Sequence, residues 1–142
     1  MKFLLAVDGS EPSLRATRKL IDMLGWYKEL PEIEVVNVHL PVPHVGGMHT
    51  VISDKDIDRY YADESAANLA QAVALLDAAE VRHTVRSLVG PLGETIVKEA
   101  RNAHCDLIVM GTHGRSAASA LVFGSVTSEV LRSSPVPVVL VR

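Results

Sequence analysis

Five short runs rich in apolar and β-branched residues recur along the chain: Lys2–Val7, Ile33–Leu40, Val81–Val89, Asp106–Met110 and Val136–Val141. Several are apolar nearly throughout, as strands buried on both faces of a parallel sheet must be. Helical patterns lie between them. Leu14, Thr17, Ile21 and Leu24 share one face, with Ser10 as N-cap and Gly25 as the stop. A second pattern spans Asp56 to Glu80, with Ala66, Leu69, Val73 and Leu76 aligned. A third, Glu94 to Ala103, aligns Ile96, Val97 and Ala100. The last starts at Gly124–Ser125, turns Val126, Val130 and Leu131 inward, and stops before Pro135. Strands alternating with helices predict an α/β fold: an open, parallel, five-stranded sheet with right-handed crossovers and helices on both faces.

Composition narrows the function classes. The 142 residues are read as one domain, residues 1–142, with no room for separate cofactor and substrate domains. Fourteen Lys+Arg against seventeen Asp+Glu leave a net charge of −3, which speaks against a nucleic-acid partner. The single cysteine, Cys105, rules out an intrachain disulfide and is read as a small buried residue. The run Phe3–Val7 is stopped by Asp8, and Ser116–Ser128 is too short and too polar to span a bilayer. The expectation is a cytoplasmic protein with no membrane partner.

In a parallel sheet, ligands bind beyond the carboxyl ends of the strands, where the strand order reverses. That rule singles out Asp8, His39–Leu40, Gly90 and Gly111. Two long connections lie at the same end. Pro41–Ser53 has the composition of a flap over a ligand. Gly111–Phe123 exceeds the roughly 2–6 residues usual for such a loop.

The second connection carries the chemistry. Gly111 and Gly114 allow consecutive N–H groups to turn toward an anion. Gly124 and Ser125 open a helix whose first N–H groups lack intrahelical acceptors, a favourable place for phosphate. Ser125 and Thr127 add hydroxyls, and His113 and Arg115 add charge. Each feature also has a purely structural reading: glycine for turn geometry, Gly124-Ser125 as a cap, Asp8-Gly9 as a turn, Arg115 as a solvated charge.

The spacing Gly111-x2-Gly114-x9-Gly124-Ser125 resembles the nucleotide motif of the universal stress protein family, in its ATP-binding branch. Ala6-Val7-Asp8-Gly9-Ser10-Glu11, Asp106 to Gly111 and Pro135 to Val141 are similar to other segments of that family, in order along nearly the whole chain. The resemblance implies a Rossmann-like fold of the adenine nucleotide alpha hydrolase-like type. It implies that Ala6 and Val7 line the base pocket, Asp8 bonds the ribose, and Val38 offers its backbone to the adenine edge. Met110 and Gly111 would flank the sugar and α-phosphate. His113, Gly114 and Arg115 would face the phosphates, and Gly124, Ser125, Val126 and Thr127 would hold the β- and γ-phosphates. A Mg²⁺ or Mn²⁺ ion would be held mainly by the phosphates, with no protein metal site. The family also pairs its last strand with another copy, which would make Val136–Val141 the edge of a homodimer.

Other chemistries are less well supported. There is no G-x-x-x-x-G-K-[ST], and Asp8-Gly9-Ser10 lacks the G-x-G-x-x-G of a dinucleotide fold. His44 and His49 lie five apart on a loop with no companion ligand set. Asp54, Asp56 and Asp58 read as helix-start charges rather than a calcium loop. The leading reading is a nucleotide-responsive, homodimeric stress-response regulator with an unidentified protein partner. No catalytic residue is assigned, and any hydrolysis is expected to be slow. The alternatives are a weak ATP hydrolase or phosphotransfer enzyme using His113, and a nucleotide-free interaction module.

Overall fold

The first apolar run becomes β1 (Lys2–Ala6), and its burial on both faces makes it the centre of the sheet. Around it the computed structural model, which describes residues 1–42, 53–114 and 123–142, arranges α1 (Glu11–Leu24), β2 (Glu32–His39), α2 (Asp54–Ala78), β3 (His83–Val89), α3 (Leu92–Asn102), β4 (Leu107–Gly111), α4 (Ser125–Ser133) and β5 (Val138–Val141). The sheet order is β3-β2-β1-β4-β5 and every pairing is parallel. The chain leaves β1 toward β2 on one side and later returns to β4 on the other. The order therefore reverses at β1, which opens a crevice at the carboxyl ends of β1 and β4.

Alternation along the strands feeds two cores. Phe3, Leu5, Val35 and Val109 pack with Leu14, Leu20, Leu69 and Leu76 of α1 and α2. Leu4, Val36, Ile108 and Met110 pack with Ile96, Val97, Ala100 and Val130 of α3 and α4. Cys105 joins the second core as a buried residue, and burial pushes its thiol pKa up to about 11. It is therefore a protonated thiol, inert as a nucleophile at neutral pH.

Helix starts follow their capping residues. Ser10 Oγ accepts the Ser13 N–H at 3.4 Å. Ser53 and Asp56 form a reciprocal capping box, so the acidic cluster does start α2, two residues earlier than its apolar pattern indicates. Similarly, α3 begins at Leu92, directly after Pro91, rather than at Glu94.

Three packing expectations fail. Val81 does not open β3; its N–H caps α2 through Leu76 O at 2.9 Å. β3 then forms one edge of the sheet, where Val85 and Val89 are 45% and 47% exposed. Ala66 and Leu131 lie on the solvent sides of their helices, because α2 and α4 bury narrower stripes than their apolar content predicts. Residues 43–52, with His44, His49 and most of the expected flap, lie outside the described residues, as do residues 115–122 with Arg115. Among the described residues no helix is long and apolar enough to cross a membrane.

Two glycines are required by the fold itself. Gly9 turns the chain out of β1 at φ +79°, with the Asn68 backbone 3.1 Å from where its Cβ would stand. At Gly111 a Cβ would stand 2.8 Å from the carbonyl carbon of Pro12, so β4 ends against the start of α1 with no space for a side chain. Gly111→Ala is expected to destabilise the protein by about 1–3 kcal/mol, the usual cost of overpacking. Denaturant unfolding reads this directly; an unchanged midpoint would show that the α1–β4 contact is not tight.

Candidate functional site

The crevice is built where β1, β2 and β4 end and α3 and α4 begin. Ala6 ends the first strand and Val7 follows it, Val38 sits near the tip of the second, and Met110 and Gly111 close the fourth. Together with Leu92 and Ile96 of α3 they form a mostly apolar cleft. Its open side runs past Asp8, His113 and Gly114 into a wider cleft of about 520 Å³ that Gly124 and Ser125 also line. That volume falls within the ordinary range for small-molecule sites.

Local hydrogen bonding fixes the polar end. The Gly124 N–H donates to Thr112 O at 3.1 Å, so the chain returns to the strand tip at the residue where α4 must start. Thr127, buried, donates its hydroxyl to Gly111 O and Thr112 O, each at 3.2 Å. That hydroxyl therefore staples α4 to β4, rather than facing the cleft as its polarity alone predicts. The first N–H to close a turn of α4 is that of Ser128, onto Gly124 O at 2.9 Å. The N–H groups of Ser125, Val126 and Thr127 consequently point out of the helix start with no intrahelical acceptor. They carry the positive end of the helix dipole into the cleft.

Asp8 stands opposite. Its Oδ1 accepts the Ser10 N–H at 3.0 Å and the Ser10 hydroxyl, which fixes the carboxylate at the β1 tip. Its Oδ2 lies toward Gly114, only 2.9 Å from where a Cβ would be. Gly114 thus keeps a narrow passage open beside the carboxylate. Gly124 differs from Gly111: its φ is −59°, and a Cβ would meet nothing nearer than 3.6 Å. Nothing in the packing described demands glycine there. His113 shares a 3.0 Å hydrogen bond between its Nδ1 and the Thr112 hydroxyl.

The structure therefore brings Ala6, Val7, Asp8, Val38, Met110, Gly111, His113, Gly114, Val126 and Thr127 to one cleft, with Gly124 and Ser125 on its extension. A sequence model of the universal stress protein family matches residues 1–142. The chain belongs to the universal stress protein family.

A universal stress protein of Thermus aquaticus is 32% identical over 139 residues, covering 98% of this chain and 96% of that protein. One from Synechocystis is 39% identical over 79 residues, covering 56% of this chain but only 28% of that longer protein. Among solved structures, hypothetical protein MJ0577 superposes with a TM-score of 0.80 at 23% identity, over 99% of this chain and 94% of that one. The Archaeoglobus fulgidus universal stress protein in complex with dAMP gives 0.67 at 24% identity, over 100% and 98%. An Arabidopsis thaliana family member with AMP bound gives 0.68 at 14% identity, over 99% and 90%.

Sequence reasoning missed Leu92 and Ile96, which complete the apolar wall. A usable signal was present. Gly90 marks the end of β3, and a helix starting directly after it turns residues one turn apart toward the switch point. The stapling role of Thr127 gives a test of the site's scaffold. Thr127→Val should cost about 1–2 kcal/mol, because it removes the buried hydroxyl that Gly111 O and Thr112 O share, leaving Thr112 O only the Gly124 N–H. Chemical denaturation would show this, and an unaltered unfolding free energy would contradict the staple.

Proposed function

We propose that this universal stress protein binds ATP in the cleft and acts as a nucleotide-responsive regulator in the stress response. One observation carries the reading: an apolar slot runs directly into three outward N–H groups at the start of α4, beside a carboxylate fixed at the β1 tip. A flat base fits between Val38, Met110 and Leu92, and Asp8 supplies an acceptor for ribose hydroxyls. Phosphates fit the Ser125–Thr127 amides, with Gly124 leaving their approach clear and Gly114 keeping open the passage beside Asp8. The family members solved with dAMP and AMP support an adenine nucleotide as the class of ligand.

A divalent ion, Mg²⁺ or Mn²⁺, would neutralise the phosphates. Among the described residues no cluster of three His, Cys, Asp or Glu side chains could hold a metal. Triphosphate oxygens are themselves hard ligands for such an ion, and the reading places it on them. β5 lies at the edge of the sheet with all four residues half-buried, and an open apolar edge is stabilised by pairing. A homodimer through Val136–Val141 meets that need.

Catalysis is not assigned. Hydrolysis requires an oriented water and a base; His113 Nδ1 shares its hydrogen bond with the Thr112 hydroxyl.

Titration calorimetry with ATP and Mg²⁺ should show one site per chain. Gly124→Val should weaken binding at least about tenfold, more than about 1.4 kcal/mol, with little change in melting temperature because a Cβ there meets its neighbours only at ordinary contact distances of 3.6 Å or more. Equal affinity in the two proteins would refute the phosphate assignment. Any ATP turnover should be slow and unchanged in His113→Ala; a large drop would favour the hydrolase reading. Sedimentation should give twice the 15.3 kDa chain mass, and a monomer would contradict the β5 pairing.

A further inference from the structure

Below the cleft, between the sheet and α3, lies a group of charges that nucleotide binding does not use. Glu34 of β2 and Glu99 of α3 are both buried, at 2% and 7% exposure. Glu34 Oε2 pairs with Lys2 Nζ, from the first residue of β1. Glu99 Oε1 lies 3.3 Å from Arg86 Nη1, which reaches over from β3. The other Glu34 oxygen, Oε1, is buried with no donor among the described residues. Glu99 of α3 has Glu34 as a neighbour, whose hydrogen bonding and charge both act to raise the Glu99 pKa.

Two ionised carboxylates cannot bond to each other, and an orphaned buried oxygen is costly. A single proton removes both difficulties. If Glu99 is protonated, it donates to Glu34 Oε1 while its other oxygen still accepts from Arg86. Glu34 Oε2 keeps its pair with Lys2. The surroundings favour this state: burial, then the bond to Glu34, hold the Glu99 carboxyl above the usual carboxylate range, against the opposing pull of Arg86 and Lys2. The remaining facing groups are Glu32 of β2, Cys105 and Asp106 ahead of β4, and Glu129 of α4 where it packs on Gly93. The Cys105 thiol, at about 11, and Lys2, raised chiefly by its bond to Glu34, lose their protons only at far higher pH.

We propose that Glu34 and Glu99 form a proton-sharing pair that seats α3 against the sheet, and that loss of the proton loosens the α3 wall of the cleft. The linkage is short. Glu99 follows Ile96 by one turn, and Ile96 and Leu92 form the α3 side of the apolar slot. At the same end a Cβ on Gly93 would stand 2.5 Å from the Glu129 carboxylate, so movement of α3 is also felt by α4. The consequence for ligand affinity rests on the nucleotide-binding reading above; the acid pair itself does not.

Folding raises the Glu99 pKa, so over the affected range the folded protein holds a proton that the unfolded chain has released. The stability from this group is complete below the ordinary glutamate value and is lost as pH rises through the folded value. Glu99→Gln keeps a donor for Glu34 and an acceptor for Arg86 but cannot ionise.

Between about pH 5 and about pH 9, the melting temperature of the unmutated protein should fall relative to Glu99→Gln by about 3 °C or more. Parallel profiles, or a variant uniformly less stable, would overturn the pair. In the unmutated protein, carbon-13 NMR of labelled glutamate should show one carboxyl titrating above the ordinary range. If every carboxyl titrates normally, the proposal fails even if the variant does not fold. The Ile96 methyl resonance of the ligand-free protein should follow the same titration and be flat in Glu99→Gln; a pH-independent methyl would sever the pair from the cleft.

If ATP binds, its affinity should weaken at least about fivefold across this range only in the unmutated protein. Binding with no such difference overturns the coupling and leaves the nucleotide reading intact. Absence of binding, with the NMR and stability results as expected, overturns the nucleotide reading alone.

Discussion

The site depends on a staple between the end of β4 and the start of α4. One backbone bond, from the Gly124 N–H to Thr112 O, and one hydroxyl, Thr127 onto Gly111 O and Thr112 O, bring the ends of a long connection together. Held there, the nine-residue helix α4 aims its first N–H groups, which have no intrahelical acceptor, over the β1–β4 crevice. In a chain of net charge −3, the proposed anion site draws on local amides and a helix end rather than on overall charge.

The staple divides the labour among the glycines. Gly9 and Gly111 serve the scaffold: one turns the chain at positive φ, the other lets α1 approach β4. Gly114 keeps the passage beside Asp8 narrow but open. Gly124 has neither duty, which makes it the glycine whose presence the ligand best explains. Similarly, α3 serves both parts of the molecule. Ile96 belongs at once to the second core and to the cleft wall, and Glu99 ties the same helix to Arg86 of β3.

Much of this architecture was legible in the chain. The apolar runs located all five strands, because strands buried on both faces cannot hide their composition. Edge strands do not obey that rule, and β3 shows why: its first apolar residue, Val81, belongs to the end of α2, and its exposed valines feed no core. The helix starts at Ser10 and Gly124 were readable from their caps. Those of α2 and α3 lay two residues earlier than their apolar patterns, since a capping box and a proline, not hydrophobic spacing, decide where a helix begins. At the site, the glycine spacing picked out Gly111, Gly114 and Gly124, which line the cleft or its extension. Periodicity alone could not reveal that the Thr127 hydroxyl is occupied, that Leu92 and Ile96 wall the apolar slot, or that Glu34 and Glu99 are buried together between the sheet and α3. Each of these depends on which elements become neighbours in space.

The central claim is that phosphates are held by the first turn of α4 at the β1–β4 switch point. Amide chemical-shift mapping as ATP and Mg²⁺ are added tests it most directly. The account predicts that the Ser125, Val126 and Thr127 amides shift most, together with Asp8 and Gly114. Saturable ATP binding that leaves those three amides unmoved would contradict it.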